Sequence, residues 1–197
     1  DGSQYNAGGG AGTWFHRAAR LLGSNDAWDE GRGGTGYISP GTNPVYATFA
    51  DRLATDIVAW NPSRLIVWGG YNDNQGSQSA IGTAADSLYA AIKAGLPSCE
   101  VYVLGCWSPT GSPGASLTNT DATLRTAAAT AKLPFISPIT GSGYDAAGAL
   151  VATHGAFITT ANASAYVAAG DSIHPTDAGH IYLSRRITAA IRQLMPA

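Results

Sequence analysis

The stretch RLIVWGGYND, residues 64–73, decides the fold. Leu65, Ile66, Val67 and Trp68 follow one another without polar alternation, the pattern of a strand covered on both faces, as strands of parallel sheets are. The glycines Gly69 and Gly70 then let the backbone turn sharply at the sheet edge, and Asn72 and Asp73 come immediately after. Upstream, VYATFADRLATDIVAW (45–60) places Phe49, Leu53, Ile57 and Trp60 at spacings of four, four and three, which predicts a helix with one stripe turned inward, stopping at Asn61-Pro62. Downstream, helical spacing returns through Ile81, Leu88 and Ile92. A second apolar run, VYVLG (101–105), predicts another strand. Further along, ATLRTAAATAKL (122–133) reads as a helix, LPFISPI (133–139) as a third strand, FITT (157–160) as a weaker strand candidate, and residues 177–195 as a closing helix. Near the N-terminus, Thr13 is placed to cap a helix over WFHRAARLLG (14–23). Strands alternating with helices imply right-handed crossovers and a mainly parallel sheet between two helical layers, a three-layer α/β/α sandwich. Active residues of such sheets gather in loops at the carboxyl ends of the strands.

Composition bounds the function. The 197 residues fit one domain, residues 1–197, with neither linker nor repeat. Charged residues make up 12 % and the net charge is −2, so the chain lacks a basic field for nucleic acid. It also lacks an apolar run of the roughly 20 residues that membrane insertion needs. Cys99 and Cys106 flank the second predicted strand, about 20 Å apart, too far for a disulfide, and read as two buried thiols. That leaves the compartment open, with a secreted or extracellular location the favoured one.

Three short segments carry chemistry. GRGGTG (31–36) fits a dinucleotide-loop spacing, but no strand precedes it and YISPG follows where a helix is required, so it reads as a tight loop with left-handed positions. In GGYND, Asn72 can present an uncharged N–H donor to a developing oxyanion, and Asp73 can cap a helix or brace the loop. The sharpest signal is DSIHP (171–175). Asp171 and His174 are three residues apart in a loop before a helix, so Asp171 can hold the imidazole in one tautomer and stabilise its protonated form. His16, His154 and His180 have no such partner and read as structural. Four scattered histidines without close ligand spacing do not make a metal site.

Together these segments resemble the SGNH hydrolase family, also called GDSL esterases and lipases. Gly31–Gly36 is similar to its glycine block, Gly69–Asp73 to its G-x-N-D block and Asp171–Pro175 to its D-x-x-H-P block, in the family's order. The resemblance implies a flavodoxin-like α/β fold, Gly34 as a backbone oxyanion donor beside Asn72, and Asp171 orienting a His174 that activates a serine. Ser172 lies between acid and base, so Gly170-Asp171-Ser172-Ile173 is an accidental echo of the serine block. The family's nucleophile follows its first strand, a feature not found here before the first helix. Ser3 is the candidate at the right place in this chain, and an additional N-terminal segment bearing strand and serine is expected to complete the sheet. The implied activity is ester hydrolysis through an acyl-enzyme, on a short-acyl or acetylated carbohydrate ester, with neither metal nor organic cofactor. The alternative is a carbohydrate-binding or structural domain on the same scaffold, with Trp14, Trp28, Trp68 and Trp107 as stacking surface or as core.

Overall fold

The computed structural model describes residues 9–43 and 47–195. Its sheet runs β1 (Arg64–Trp68), β2 (Glu100–Leu104), β3 (Phe135–Ile136), β4 (Ser142–Tyr144) and β5 (Leu150–Thr153), in that spatial order. β1, β2 and β3 are parallel, with Arg64 opposite Glu100 and Trp68 opposite Leu104, whereas β4 and β5 add on antiparallel. α1 (Trp14–Leu21), α2 (Phe49–Arg52), α3 (Gln78–Gly95), α4 (Ala115–Thr130), α5 (Ala163–Tyr166) and α6 (Asp177–Leu194) complete the chain. None of the helices among the described residues is long and apolar enough to cross a membrane.

The strands sort their side chains by parity. Leu65, Val67, Val101 and Val103 face a core built with Ile81, Leu88 and Ile92 of α3 and with α4. Ile66, Trp68, Tyr102 and Leu104 face the second core, made with Leu183, Ile187 and Ile191 of α6 and with Trp14 of α1. Each such aliphatic side chain removed from water contributes about 1.5–3 kcal/mol, so both faces of β1 and β2 are bound to helices. This is the three-layer α/β/α sandwich expected from the sequence.

Several expectations need correction. The helix over 45–60 is helical only as α2. It then widens into a π-helical turn, Leu53–Ile57, and tightens into a 3-10 turn, Val58–Trp60, ended by the left-handed Asn61 (φ 45°). Those changes of pitch break the 3.6-residue phase, so Phe49, Leu53 and Ile57 pack on the core while Trp60 is 59 % exposed. α4 runs over Ala115–Thr130, starting earlier than the helix predicted over 122–133 and ending before it. The third strand shrinks to two residues because Pro134 and Pro138, which lack N–H groups, bracket it. FITT is not a strand: Phe157 and Ile158 are buried, and the chain turns at once, with Asn162 Oδ1 accepting from the Thr159 N–H. The β4–β5 hairpin was not anticipated. Its turn is held by Asp145 Oδ1, which accepts from the Ala147 and Ala149 N–H groups at 2.9 Å each. Thr13 stands at the N-cap of α1, but its hydroxyl donates to Gly10 O rather than accepting from the helix. Both cysteines are free thiols, Cys106 buried and Cys99 only half-buried.

Candidate active site

The loop after β1 is locked to the glycine loop of residues 31–41 by one carboxylate. Asp73 is 1 % exposed. Its Oδ1 accepts from the Ile38 and Ser39 N–H groups at 2.8 and 2.9 Å, and its Oδ2 from the Tyr37 N–H at 3.1 Å. A Cβ at Gly36 would overlap that carboxylate, so the brace requires glycine there. Tyr37 continues inward, its hydroxyl 2.7 Å from that of Tyr89 on α3, and burial pushes both phenols above their ordinary range. Asp73 thus braces the loop, one of the two roles its position allowed.

Held this way, the two loops bring Asn72 and Gly34 together. Asn72 Nδ2 donates to Thr35 O at 2.9 Å, one peptide along from Gly34. Gly34 is exposed and left-handed (φ 79°), and its N–H meets no hydrogen-bond acceptor among the described residues. Asn72 is likewise exposed, and its amide retains a second N–H beside the one given to Thr35.

The candidate acid and base, Asp171 and His174, meet on a separate loop. Asp171 Oδ1 accepts from the Ile173 and His174 N–H groups at 2.9 and 3.0 Å, and Oδ2 accepts from His174 Nδ1–H at 2.5 Å. Ser172 makes the reversal between them with φ 58°, left-handed backbone that a non-glycine residue adopts at a cost. The hydrogen bond from His174, then the backbone bond from Ile173, hold the Asp171 carboxyl well below the usual carboxylate range, so it stays ionised through mild acid. With the proton on Nδ1, the ring's basic lone pair is on Nε2. The imidazole is 44 % exposed, two residues before Thr176, whose hydroxyl caps α6 by accepting from the Gly179 N–H.

A row of indoles joins the two halves. Trp14 packs edge-on against Trp68 at 4.7 Å, Trp68 against Trp107 at 6.1 Å, and Trp107 Nε1 donates to Ile173 O at 2.8 Å. The loop bearing His174 is therefore fastened to the carboxyl ends of β1 and β2. The sequence reading missed this role of Trp107; its place directly after a buried strand was the available signal. Also missed was Asp121 on α4, 7 % exposed, whose Oδ1 accepts from the Cys106 N–H and whose Oδ2 accepts from Ser137 Oγ. Burial pushes its carboxyl up to about 6.

The remaining histidines are elsewhere. His180 is buried, with Nδ1 accepting from the Trp14 N–H and its value lowered to about 4, first by desolvation. His154 Nε2 pairs with Gln193. Ser3 lies outside the described residues. Of the four tryptophans considered as stacking surface, Trp14, Trp68 and Trp107 pack on the second core and Trp28 is exposed.

A family model described as "GDSL-like Lipase/Acylhydrolase family" matches residues 1–181. The chain belongs to this family. It is thus a hydrolase of the GDSL-like type, and the family resemblance stated from the sequence holds over residues 1–181. No curated protein matches it. Among solved structures it is similar to an alpha/beta hydrolase enzyme from the metagenome of Lake Arreo, Spain, with TM-score 0.66 and 16 % identity over 98 % of this chain and 87 % of that one. A protein from Lactobacillus plantarum gives TM-score 0.67 and 16 % identity over 93 % and 89 % of the two chains. A family two carbohydrate esterase from Clostridium thermocellum, solved in complex with cellohexaose, gives TM-score 0.60 and 16 % identity over 93 % of this chain and 54 % of that one. At these identities the likeness is one of fold.

Proposed function

We propose that this GDSL-like hydrolase cleaves carboxylic esters through an acyl-enzyme formed on a serine, with a short-acyl or acetylated carbohydrate ester as substrate. The observation that carries the reading is the Asp171–His174 pair, held by three hydrogen bonds and fastened through Trp107 to the sheet edge where Asn72 and Gly34 also stand. In this scheme serine Oγ attacks the ester carbonyl while His174 Nε2 takes its proton. The Gly34 N–H and the second Asn72 N–H receive the oxyanion. Collapse expels the alcohol, protonated by His174, and the same histidine then activates water to release the acid. Asp171 stabilises the imidazolium and keeps its own charge throughout.

The serine is Ser3 or one carried by an extended segment lying along the outer edge of β1. That edge supports the second placement: β1 pairs only with β2 among the described residues, and both its faces are apolar. Low charge favours a neutral substrate, and the carbohydrate class has a precedent in the Clostridium thermocellum esterase. The test is a panel of p-nitrophenyl esters of increasing acyl length, run on the protein and its His174→Ala variant, with fluorophosphonate labelling and peptide mapping. Rapid cleavage of the acetyl ester, lost in the variant, supports the reading. Equal rates, or a label on Ser172, reject it.

A further inference from the structure

We propose that Trp28 and Trp60 form an accessory platform for a neutral oligosaccharide, outside the reacting centre. The two indoles are stacked, with ring centroids 4.7 Å apart and planes at 24°, yet they are 58 % and 59 % exposed. Such a pair leaves the outer face of each ring open while the inner faces hold one another in place.

The platform is rigid before any ligand arrives. Trp28 Nε1 donates to Asp26 Oδ1 at 2.8 Å, and the Gly31 N–H donates to Asp29 Oδ1 at 2.9 Å. Arg52 donates to Glu30 O at 3.0 Å and Arg32 pairs with Asp56 at 3.0 Å, tying the loop that bears Trp28 to the helical segment that bears Trp60. Preorganisation of this kind lowers the ordering cost of binding.

The chemistry selects the occupant. The open indole faces are electron-rich and suit the weakly positive C–H edges of a pyranose ring. The carboxylate of Asp26, bonded to the Trp28 indole through Oδ1, flanks that ring and can accept hydrogen bonds from sugar hydroxyls through Oδ2. The same acidic flank repels phosphate-bearing ligands and anionic lipid. The two rings expose roughly 300 Å² together, well short of the roughly 800 Å² per partner of a stable protein interface, which argues against a second copy of the chain. Gly34 is six residues along from Trp28, at most about 20 Å of chain, so one oligosaccharide can lie on the platform and still reach the loop bearing Gly34. The inference deepens the esterase reading, on which its role in presenting substrate rests, while binding itself is separable from hydrolysis.

The test uses ester-free cellohexaose, xylohexaose and chitohexaose with the full chain, followed by calorimetry and by the tryptophan Nε1–H resonances. The expected result is saturable binding of at least one glycan that shifts the Trp28 signal. Trp28→Ala and Trp60→Ala should weaken it at least tenfold, and Trp60→Tyr, which keeps a stacking face, should weaken it by less. His174→Ala should bind as the unmodified chain does while losing p-nitrophenyl acetate hydrolysis. Absence of binding to all three glycans, or binding indifferent to both alanine variants, overturns the platform. Tryptophan-dependent binding by a chain that cleaves none of the esters would uphold the platform and reject the esterase reading.

Discussion

Replacing Asp121 by asparagine should change how stability depends on pH. The carboxyl is 7 % exposed and burial lifts it from 3.8 to about 6, a difference of about two pH units. The native state therefore keeps this proton to higher pH than the unfolded chain does. Between pH 4 and pH 6 the unfolded chain releases it first, so stability from this group is fully present below about pH 4 and is lost as pH rises to about 6. At 1.36 kcal/mol per pH unit the loss is about 3 kcal/mol. His180 acts with the opposite sign over almost the same range. Its value of about 4 lies below the ordinary 6.5, so it stabilises above about pH 6.5 and that contribution fades as pH falls. Raw stability curves hide both effects, and the informative quantity is the difference between variant and unmodified chain.

Asparagine keeps the shape and the acceptor for the Cys106 N–H, but turns a second acceptor into a donor facing Ser137 Oγ, which already accepts from the Thr140 N–H at 3.1 Å. The serine proton must then find another acceptor, costing about 1–3 kcal/mol, independent of pH. Urea unfolding followed by tryptophan fluorescence at intervals from pH 4 to pH 7.5 measures the difference. Relative to the unmodified chain, Asp121→Asn should gain about 3 kcal/mol across that range, starting below it at pH 4 and drawing level or passing it at neutrality. A difference that stays flat within about 0.5 kcal/mol would refute the argument that Asp121 holds its proton into this range.

Asn72→Ala removes a side-chain donor and should lower kcat on p-nitrophenyl acetate about 100-fold with little change in KM, read from steady-state kinetics. Trp107→Phe keeps the ring against Trp68 but strips the donor from Ile173 O; kcat should fall about 10- to 100-fold as the base loop loosens, while unfolding reports a loss of only about 1–3 kcal/mol. Ser172→Val puts a β-branched side chain at φ 58° and should cost about 1–2 kcal/mol in urea unfolding, whereas Ser172→Gly should be neutral or stabilising and should leave fluorophosphonate labelling intact.

What was legible in the sequence was what is local. β1 and β2 are unbroken apolar runs because both faces are covered, and α3 shows its inward stripe because one regular pitch holds from Gln78 to Gly95. Asp171 and His174 are three residues apart, so their pairing could be read from spacing alone. Where pitch changes the reading fails, as at Trp60. Where strands are only two to four residues long and paired by a hairpin, as in β4 and β5, too few side chains alternate to signal them. Contacts across the fold are illegible for a different reason: Asn72 and Thr35 lie 37 residues apart and Trp107 and Ile173 lie 66 apart, so only a family resemblance or a structure brings them together.

Three aspartates show why residue type alone does not announce function. Asp73, Asp121 and Asp171 each accept backbone N–H bonds in loops that border the sheet's carboxyl edge, and each closes a turn that would otherwise leave buried or half-buried donors unpaired. The Asp73 carboxylate accepts all three of its hydrogen bonds from the backbone of the glycine loop. Asp121 divides its oxygens between a backbone N–H and a serine hydroxyl. Asp171 alone of the three spends one oxygen on an imidazole, and that imidazole is 44 % exposed while the carboxylates of Asp73 and Asp121 are buried. The same bracing device therefore serves two ends. Where the partner is backbone, the carboxylate fixes the loops from which Asn72, Gly34 and Trp107 project; where the partner is a solvent-facing histidine, it sets a tautomer and stabilises a cation. On the proposed mechanism, rigidity in the first two gives the third a fixed target, since a base is effective only if the oxyanion donors keep their places as well.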